Sequence, residues 1–260
     1  MKAKALLVVT NMWIYFEELS VIRQLGYTTE DFDVSILIDK KYNQYPVIRM
    51  QLSKDIKAIT PSAEFVEQRE IESSEFYLKL APTFLHEQTM ALFNSVNANQ
   101  SYLVEEGISD YTDGVPRQRE ACVFLTDVQK AVNTDGYYCV DPLIPDLRLL
   151  DSFVHYYELQ NQAVFNLPVT TPILFTTPLE RDFGIKGVLE KTKDALGDLC
   201  SVPIIIKPHP RDNTVWDFGS ICLSTCPGQI LNMLFCGNKY YMYESTVGMN
   251  DRNKIVFEIV

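Results

Sequence analysis

Short apolar runs, each stopped by a polar or turn-forming cluster and followed by a helical pattern, recur along this chain and limit what it can fold into. In the first half such runs cover residues 5–9, 34–38, 58–60, 102–104 and 137–140. Apolar residues at helical spacing cover 13–25, 74–95 and 118–128, with Pro82 as a kink in the second. From residue 172 the rhythm restarts. Strands are expected at 172–178, 202–206, 220–223, 240–243 and 255–259, and helices at 186–196 and 228–235. Strands separated by helical stretches imply βαβ units and parallel sheets.

The restart implies an α/β chain with two Rossmann-like domains, 1–155 and 156–260, joined somewhere in 150–169. With 47% hydrophobic and 22% charged residues, 260 residues can bury a sizeable core. The net charge of −11 argues against a general nucleic-acid binder, which needs a basic face. It leaves room for a local positive pocket. The six cysteines (Cys122, Cys139, Cys200, Cys222, Cys226 and Cys236) form no C-x-x-C pair, so their spacing supports no zinc site, and they read as reduced thiols. The start Met1-Lys2-Ala3-Lys4 before an apolar run resembles a signal peptide. The run breaks at Thr10-Asn11 with no small-residue cleavage site, so a first buried strand is the expectation. No apolar run approaches the ~20 residues needed to span a bilayer. The sequence stops directly after the last expected strand, so either a terminal helix is missing or the chain is an unusually compact member of its class.

Two polar motifs follow apolar runs. Glu105-Glu106-Gly107 comes after Tyr102-Leu103-Val104. A carboxylate there can accept a proton from an attacking hydroxyl, and the glycine lets backbone or ligand approach. The plain alternative is a solvated acidic turn. Lys207-Pro208-His209-Pro210-Arg211 comes after Ile204-Ile205-Ile206. Two prolines restrict the backbone on either side of the histidine, and the flanking cations favour anions such as phosphate. A rigid structural loop is the alternative. Ligands of open α/β sheets bind at carboxyl ends of strands, so the two motifs suit acid–base chemistry on a phosphate-bearing substrate.

Weaker signals accompany them. Glu244-Ser245-Thr246 follows the run at 240–243 and offers hydroxyls to a phosphate or to a helix cap. Gln229, at an expected helix start, can bond ribose hydroxyls or be an exposed first-turn residue. Thr176 and Thr177 end the run at 172–178, and Asn11 ends the first. His86, His155 and the pair Tyr156-Tyr157 read as structural.

In order, E-E-G, strand-K-P-H-P-R, P-G-Q-I-L and strand-E-S-T resemble the motifs of the bacterial sialyltransferases of lipooligosaccharide and capsule synthesis. The resemblance covers roughly residues 100 to 250. It implies a GT-B architecture, two Rossmann-like domains facing a central cleft. It further implies inverting, metal-independent transfer from CMP-sialic acid with no cofactor. Glu105, supported by Glu106, then corresponds to the general base and His209 to the group that stabilises or protonates the departing phosphate. Ser245 and Thr246 correspond to its hydrogen-bond donors. Thr176, Thr177, Lys207, Pro208, Pro210, Arg211 and Gln229 fall on the donor side, and Asn11 and Gly107 on the acceptor side. Many members carry a glutamate where this chain has Gln229.

The implied partners are a CMP-sugar donor and a galactose-terminated or sialylated glycan, with no nucleic acid. The implied location is cytoplasmic, with peripheral contact at the inner membrane; a homodimer stays open. Two alternatives stand beside this reading: a transferase of another CMP-activated acid sugar such as Kdo, and a non-catalytic sugar-nucleotide-binding subunit of a capsule-assembly complex.

Overall fold

Ala5 to Val9 have no solvent exposure at all, which marks them as the middle of a sheet covered on both faces. They lie in β1 (Ala3–Val9) of the computed structural model, which describes residues 2–105, 122–126, 139–235, 240–242 and 254–256. β1 pairs in parallel with β2 (Phe32–Ile38) and β4 (Phe76–Pro82). Beyond them lie β3 (Glu64–Phe65), β5 (Ala98–Val104), β6 (Cys122–Leu125) and β7 (Cys139–Pro142). Among the described residues this is a seven-stranded, all-parallel sheet in the order β3-β2-β1-β4-β5-β6-β7. That is a Rossmann-like order, with the reversal of winding between β1 and β4.

Helices connect these strands. α1 (Met12–Gln24) starts at Asn11, whose Oδ1 accepts from the N–H groups of Trp13 (2.8 Å) and Ile14 (3.0 Å). α2 (Pro46–Ile59) begins with proline, whose missing N–H costs nothing there. α3 (Gln68–Glu72) and α4 (Glu87–Ser95) follow. Ile71 of α3 with Leu92 and Phe93 of α4 packs on Leu6, Val8, Leu103, Val123 and Leu125 of the sheet. Lys79, in the middle of β4, is 7% exposed, and its ammonium donates to the carbonyls of Phe93 (2.7 Å) and Val96 (2.8 Å). It thereby satisfies orphan acceptors at the end of α4.

Three expectations are corrected. Residues 58–60 are not a strand: Ala58 and Ile59 are the last turn of α2 and Thr60 is its C-cap. Residues 74–95 are β4 followed by α4, not one kinked helix. Phe76, Leu80 and Phe84 fit a four-residue period, but Phe76, Leu78 and Leu80 equally fit a two-residue one, and burial on both sides favoured the strand. The stretch 118–128 contains β6 where a helix was expected; its other described residue is Thr126.

The chain divides into two compact units, Met1–Phe153 and Val154–Val260. The dividing point falls inside α5 (Leu147–Gln160). The second unit holds α6 (Gln162–Phe165), α7 (Leu179–Phe183), α8 (Val188–Leu196) and α9 (Gly228–Leu234). Its sheet consists of β8 (Ile173–Phe175), β9 (Ile205–Lys207), β10 (Ser220–Ile221), β11 (Tyr240–Met242) and β12 (Lys254–Val256). All described pairings are parallel, in the order β10-β9-β8-β11-β12. Counted from its own first strand, this is the same 3-2-1-4-5 order as in the first unit. Leu174, Leu179, Val188, Leu196, Ile204, Ile206 and Trp216 form its core. The turn into β10 needs Gly219: its φ is +68°, and a Cβ there would stand 2.8 Å from the Ile204 carbonyl oxygen. Among the described residues no helix is long and apolar enough to cross a membrane.

Candidate functional site

β8 and β9 are neighbours, with Phe175 opposite Lys207, so the segments after them emerge side by side. Thr176 N–H donates to the Lys207 carbonyl (3.1 Å), extending the ladder by one step. The Thr176 hydroxyl accepts from the His209 N–H (3.0 Å) and donates to Asp212 in a short bond. Asp212 also accepts from the Trp216 indole N–H (3.1 Å) and the Thr214 N–H (2.9 Å), and its own N–H donates to the His209 carbonyl (2.9 Å). Thr176 and Asp212 thus fix the backbone on which His209 sits.

The ring is fixed as well. His209 Nδ1 accepts from the Arg211 N–H at 3.0 Å. An accepting Nδ1 carries a lone pair, so the neutral ring bears its proton on Nε2. This tautomer offers Nε2–H as a donor. Protonating Nδ1 would set two N–H groups against each other. Pro208, His209, Pro210 and Arg211 are all partly buried.

Lys207 sits differently from the expectation of a phosphate-facing cation. It is 6% exposed, and its ammonium donates to the carbonyls of Pro208 and Ser224, both at 2.8 Å. Burial pulls its pKa below the usual lysine value, while the neighbouring Cys222 and Cys226 push it back up. Lys207 is an internal tie between the end of β9 and the segment before α9. That segment is held from its other side by Asn161, whose Oδ1 accepts from Leu223 N–H at 2.7 Å, and by the Tyr157 hydroxyl, which donates to the Thr225 carbonyl at 3.1 Å.

Thr177 is partly buried, and its carbonyl accepts from the Leu179 N–H (2.7 Å) at the start of α7. Gln229 is the second residue of α9 and is partly buried. Ser245 and Thr246 lie outside the described residues; β11, which precedes them, ends with Met242 opposite Phe175. β9, β8 and β11 are thus consecutive in the sheet, and all three lead into predicted donor-side segments. They flank the point, between β8 and β11, where the winding reverses, which is where ligands of such sheets bind.

In the first unit Glu105 directly follows β5 and is 9% exposed. Its N–H donates to the Phe124 carbonyl (3.1 Å). Its carboxylate accepts from the Thr126 N–H (2.7 Å) and from the Thr126 hydroxyl (2.7 and 2.8 Å to its two oxygens). Thr126 therefore orients Glu105. Glu106 and Gly107 lie outside the described residues. Asn11 caps α1 with its oxygen and donates from Nδ2 to the Thr10 hydroxyl (3.3 Å), so its amide has a helix-building task. The residues that sequence reasoning missed are Thr126, Asp212 and Trp216, which hold Glu105 and the His209 loop. Asp212 alone had a signal, being next to Arg211 in the motif. Thr126 becomes relevant only once β5 and β6 pair.

No protein-family model, no curated protein and no solved structure matches the chain. Function is therefore argued from the site's own chemistry.

Proposed function

We propose that this chain is an inverting, metal-independent sialyltransferase that moves sialic acid from CMP-sialic acid to a hydroxyl of a cell-surface glycan. The two units are then the halves of a GT-B enzyme, the first binding acceptor and the second binding donor. Its place is the cytoplasm, with peripheral contact at the inner membrane where lipid-linked acceptors lie. The observation that carries this reading is the His209 ring, fixed through Nδ1 at a strand end beside the winding reversal of a parallel sheet. In this reading Nε2–H is the donor to the departing phosphate.

In this mechanism the acceptor oxygen attacks the anomeric carbon of the sugar. The bond from that carbon to the CMP phosphate oxygen breaks, and both its electrons leave with CMP. His209 Nε2–H hydrogen-bonds the oxygen on which charge grows, joined by Ser245 and Thr246. Fixed donors aimed at developing charge are often the largest catalytic contribution. The hydroxyl proton goes to Glu105, which Thr126 holds in one orientation. His209→Ala and Glu105→Gln, each tested alone, are expected to lower transfer by about 10²–10⁴-fold at unchanged melting temperature. Wild-type rates in either folded variant reject the assignment. Comparing CMP-sialic acid with CMP-Kdo as donors separates the sialyltransferase from its nearest alternative.

A second reading is a nucleotide-sugar-binding subunit without turnover. It is favoured by one observation: both Glu105 oxygens already accept hydrogen bonds from Thr126. Turnover of the purified chain above the level of the two variants rejects it; CMP stabilisation without turnover supports it.

A further inference from the structure

Three metal-ligating side chains converge at the outer edge of the first sheet, and the transferase reading uses none of them. β6 and β7 pair in parallel with Cys122 directly opposite Cys139. Opposed residues of neighbouring strands share a face, and residues two apart on one strand share it too. Asp141 therefore joins the two cysteines on one face, diagonal to Cys122. Its Oδ2 lies 3.3 Å from Cys139 Sγ and 3.6 Å from Cys122 Sγ. All three ligand atoms lie within 4.8 Å of one another, and the three residues are partly buried, so an ion can reach them. Both thiols are free.

The spacing fits one ion. With bonds of about 2.3 Å to sulfur and about 2.0 Å to oxygen, the ligands of a tetrahedral zinc stand about 3.5 Å apart. The two sulfur–oxygen distances already bracket that value. The same face carries Tyr102, opposite Cys122 on β5. Burial pushes the Cys122 thiol well above its usual range, and Cys139 and Asp141 push it further. The Tyr102 phenol is also raised, by burial first and then by Cys122, Asp141 and Cys139. A thiolate beside the Asp141 carboxylate meets a repulsion that nothing in the cluster balances. A divalent cation removes that penalty.

We propose that Cys122, Cys139 and Asp141 form a three-ligand site for a soft divalent cation, zinc by its preference for thiolate in tetrahedral geometry, with the fourth position open to water or an added ligand. Calcium and magnesium require all-oxygen shells and do not fit. A cross-strand disulfide between the same cysteines would leave Asp141 facing sulfur with no hydrogen to accept, whereas a metal uses all three groups. Binding releases the two thiol protons and forms two metal–sulfur bonds and one metal–oxygen bond, with no change of oxidation state.

The test is titration of the reduced full-length chain with Co²⁺, then displacement by Zn²⁺. The expected result is one equivalent of cobalt, a near-ultraviolet thiolate-to-cobalt charge-transfer band and the visible bands of tetrahedral cobalt. Cys122→Ser and Cys139→Ser should each remove most of that band, and Asp141→Asn should weaken binding by about 10-fold or more. Cys200→Ser should leave the spectrum unchanged. Circular dichroism of each variant separates lost binding from lost folding. No charge-transfer band from the reduced wild-type chain overturns the proposal without any variant. So does a wild-type spectrum in folded Cys122→Ser and Cys139→Ser, or a Cys122–Cys139 disulfide in protein isolated anaerobically.

Discussion

The two parallel sheets run in the same order from their first strands, yet their carboxyl-end polar groups are used differently. In the first unit the described groups, Glu105 included, are hydrogen-bonded within the chain. Asn11 caps α1. Asp39, with no solvent exposure, accepts from the N–H groups of Lys41 (2.8 Å) and His86 (2.9 Å). The turn after β1, Thr10-Asn11-Met12-Trp13, contains no glycine, so it lacks the close-approach loop of dinucleotide-binding sheets. Glu105 is held by Thr126. In the second unit the network of Thr176, Asp212 and Trp216 fixes a histidine loop and leaves the ring as its product. One strand order thus gives a strongly self-bonded edge and an edge that positions a ring, because topology fixes where strand ends lie and side chains fix what they do.

The units converge on one device. Lys79 and Lys207 are both buried lysines with pKa lowered mainly by burial, and each donates to two backbone carbonyls. Replacing either by methionine keeps the volume and orphans two acceptors. Each variant should lose about 2–4 kcal/mol in urea unfolding, the largest effects expected here outside the site. A loss below about 0.5 kcal/mol for Lys207→Met would put its ammonium back among the candidates for donor binding. The same variant should leave CMP affinity nearly unchanged if the tie is purely internal.

A smaller effect sharpens the contrast. The first unit buries Glu18 completely. Burial pushes its carboxyl well above the ordinary range; the Val8 backbone N–H pulls it back and Glu17 pushes it up again. Among the described residues the second unit buries no carboxylate to that degree. Between the unfolded and folded pKa values the folded state binds the extra proton. This contribution to stability is therefore full below about pH 4 and is lost as pH climbs toward the folded value, at up to about 1.4 kcal/mol per pH unit. Glu18→Gln should be more stable than the wild type at pH 8 by at least about 1 kcal/mol and show a flatter pH dependence. An unchanged slope would remove Glu18 from the account. The smallest effect is at Asn11. Asn11→Ala should cost about 1 kcal/mol by loss of the helix cap while leaving transfer within about 3-fold of wild type. A loss of activity as large as that of His209→Ala would mean that the first edge also holds substrate.

Legibility followed the range of the interactions. β1, β2 and β8 were readable because continuous apolar runs are their own evidence of burial. β4 was not, since its apolar residues satisfy two periods and only the neighbours β1 and β5 decide between them. The His209 loop was readable from two prolines and a preceding isoleucine run. Its anchoring was not: Thr176 and Asp212 are 36 residues apart, as Thr126 and Glu105 are 21 apart. The role of Lys207 was misjudged for the same reason. A lysine after three isoleucines reads as a strand-end charge until Ser224 arrives from a distant loop to receive it.

The sequence by itself determined the α/β class, the restart near residue 172 and the rigidity of the segment around His209. These depend on local burial patterns and on proline's fixed backbone. Only the tertiary structure decided the strand order, the tautomer of His209, the burial of Lys207 and the meeting of Cys122 with Cys139 and Asp141. Each of these is a contact between segments distant in sequence or a geometry set by folding. Strand register and loop closure bring such groups together, and neither is written into composition or spacing.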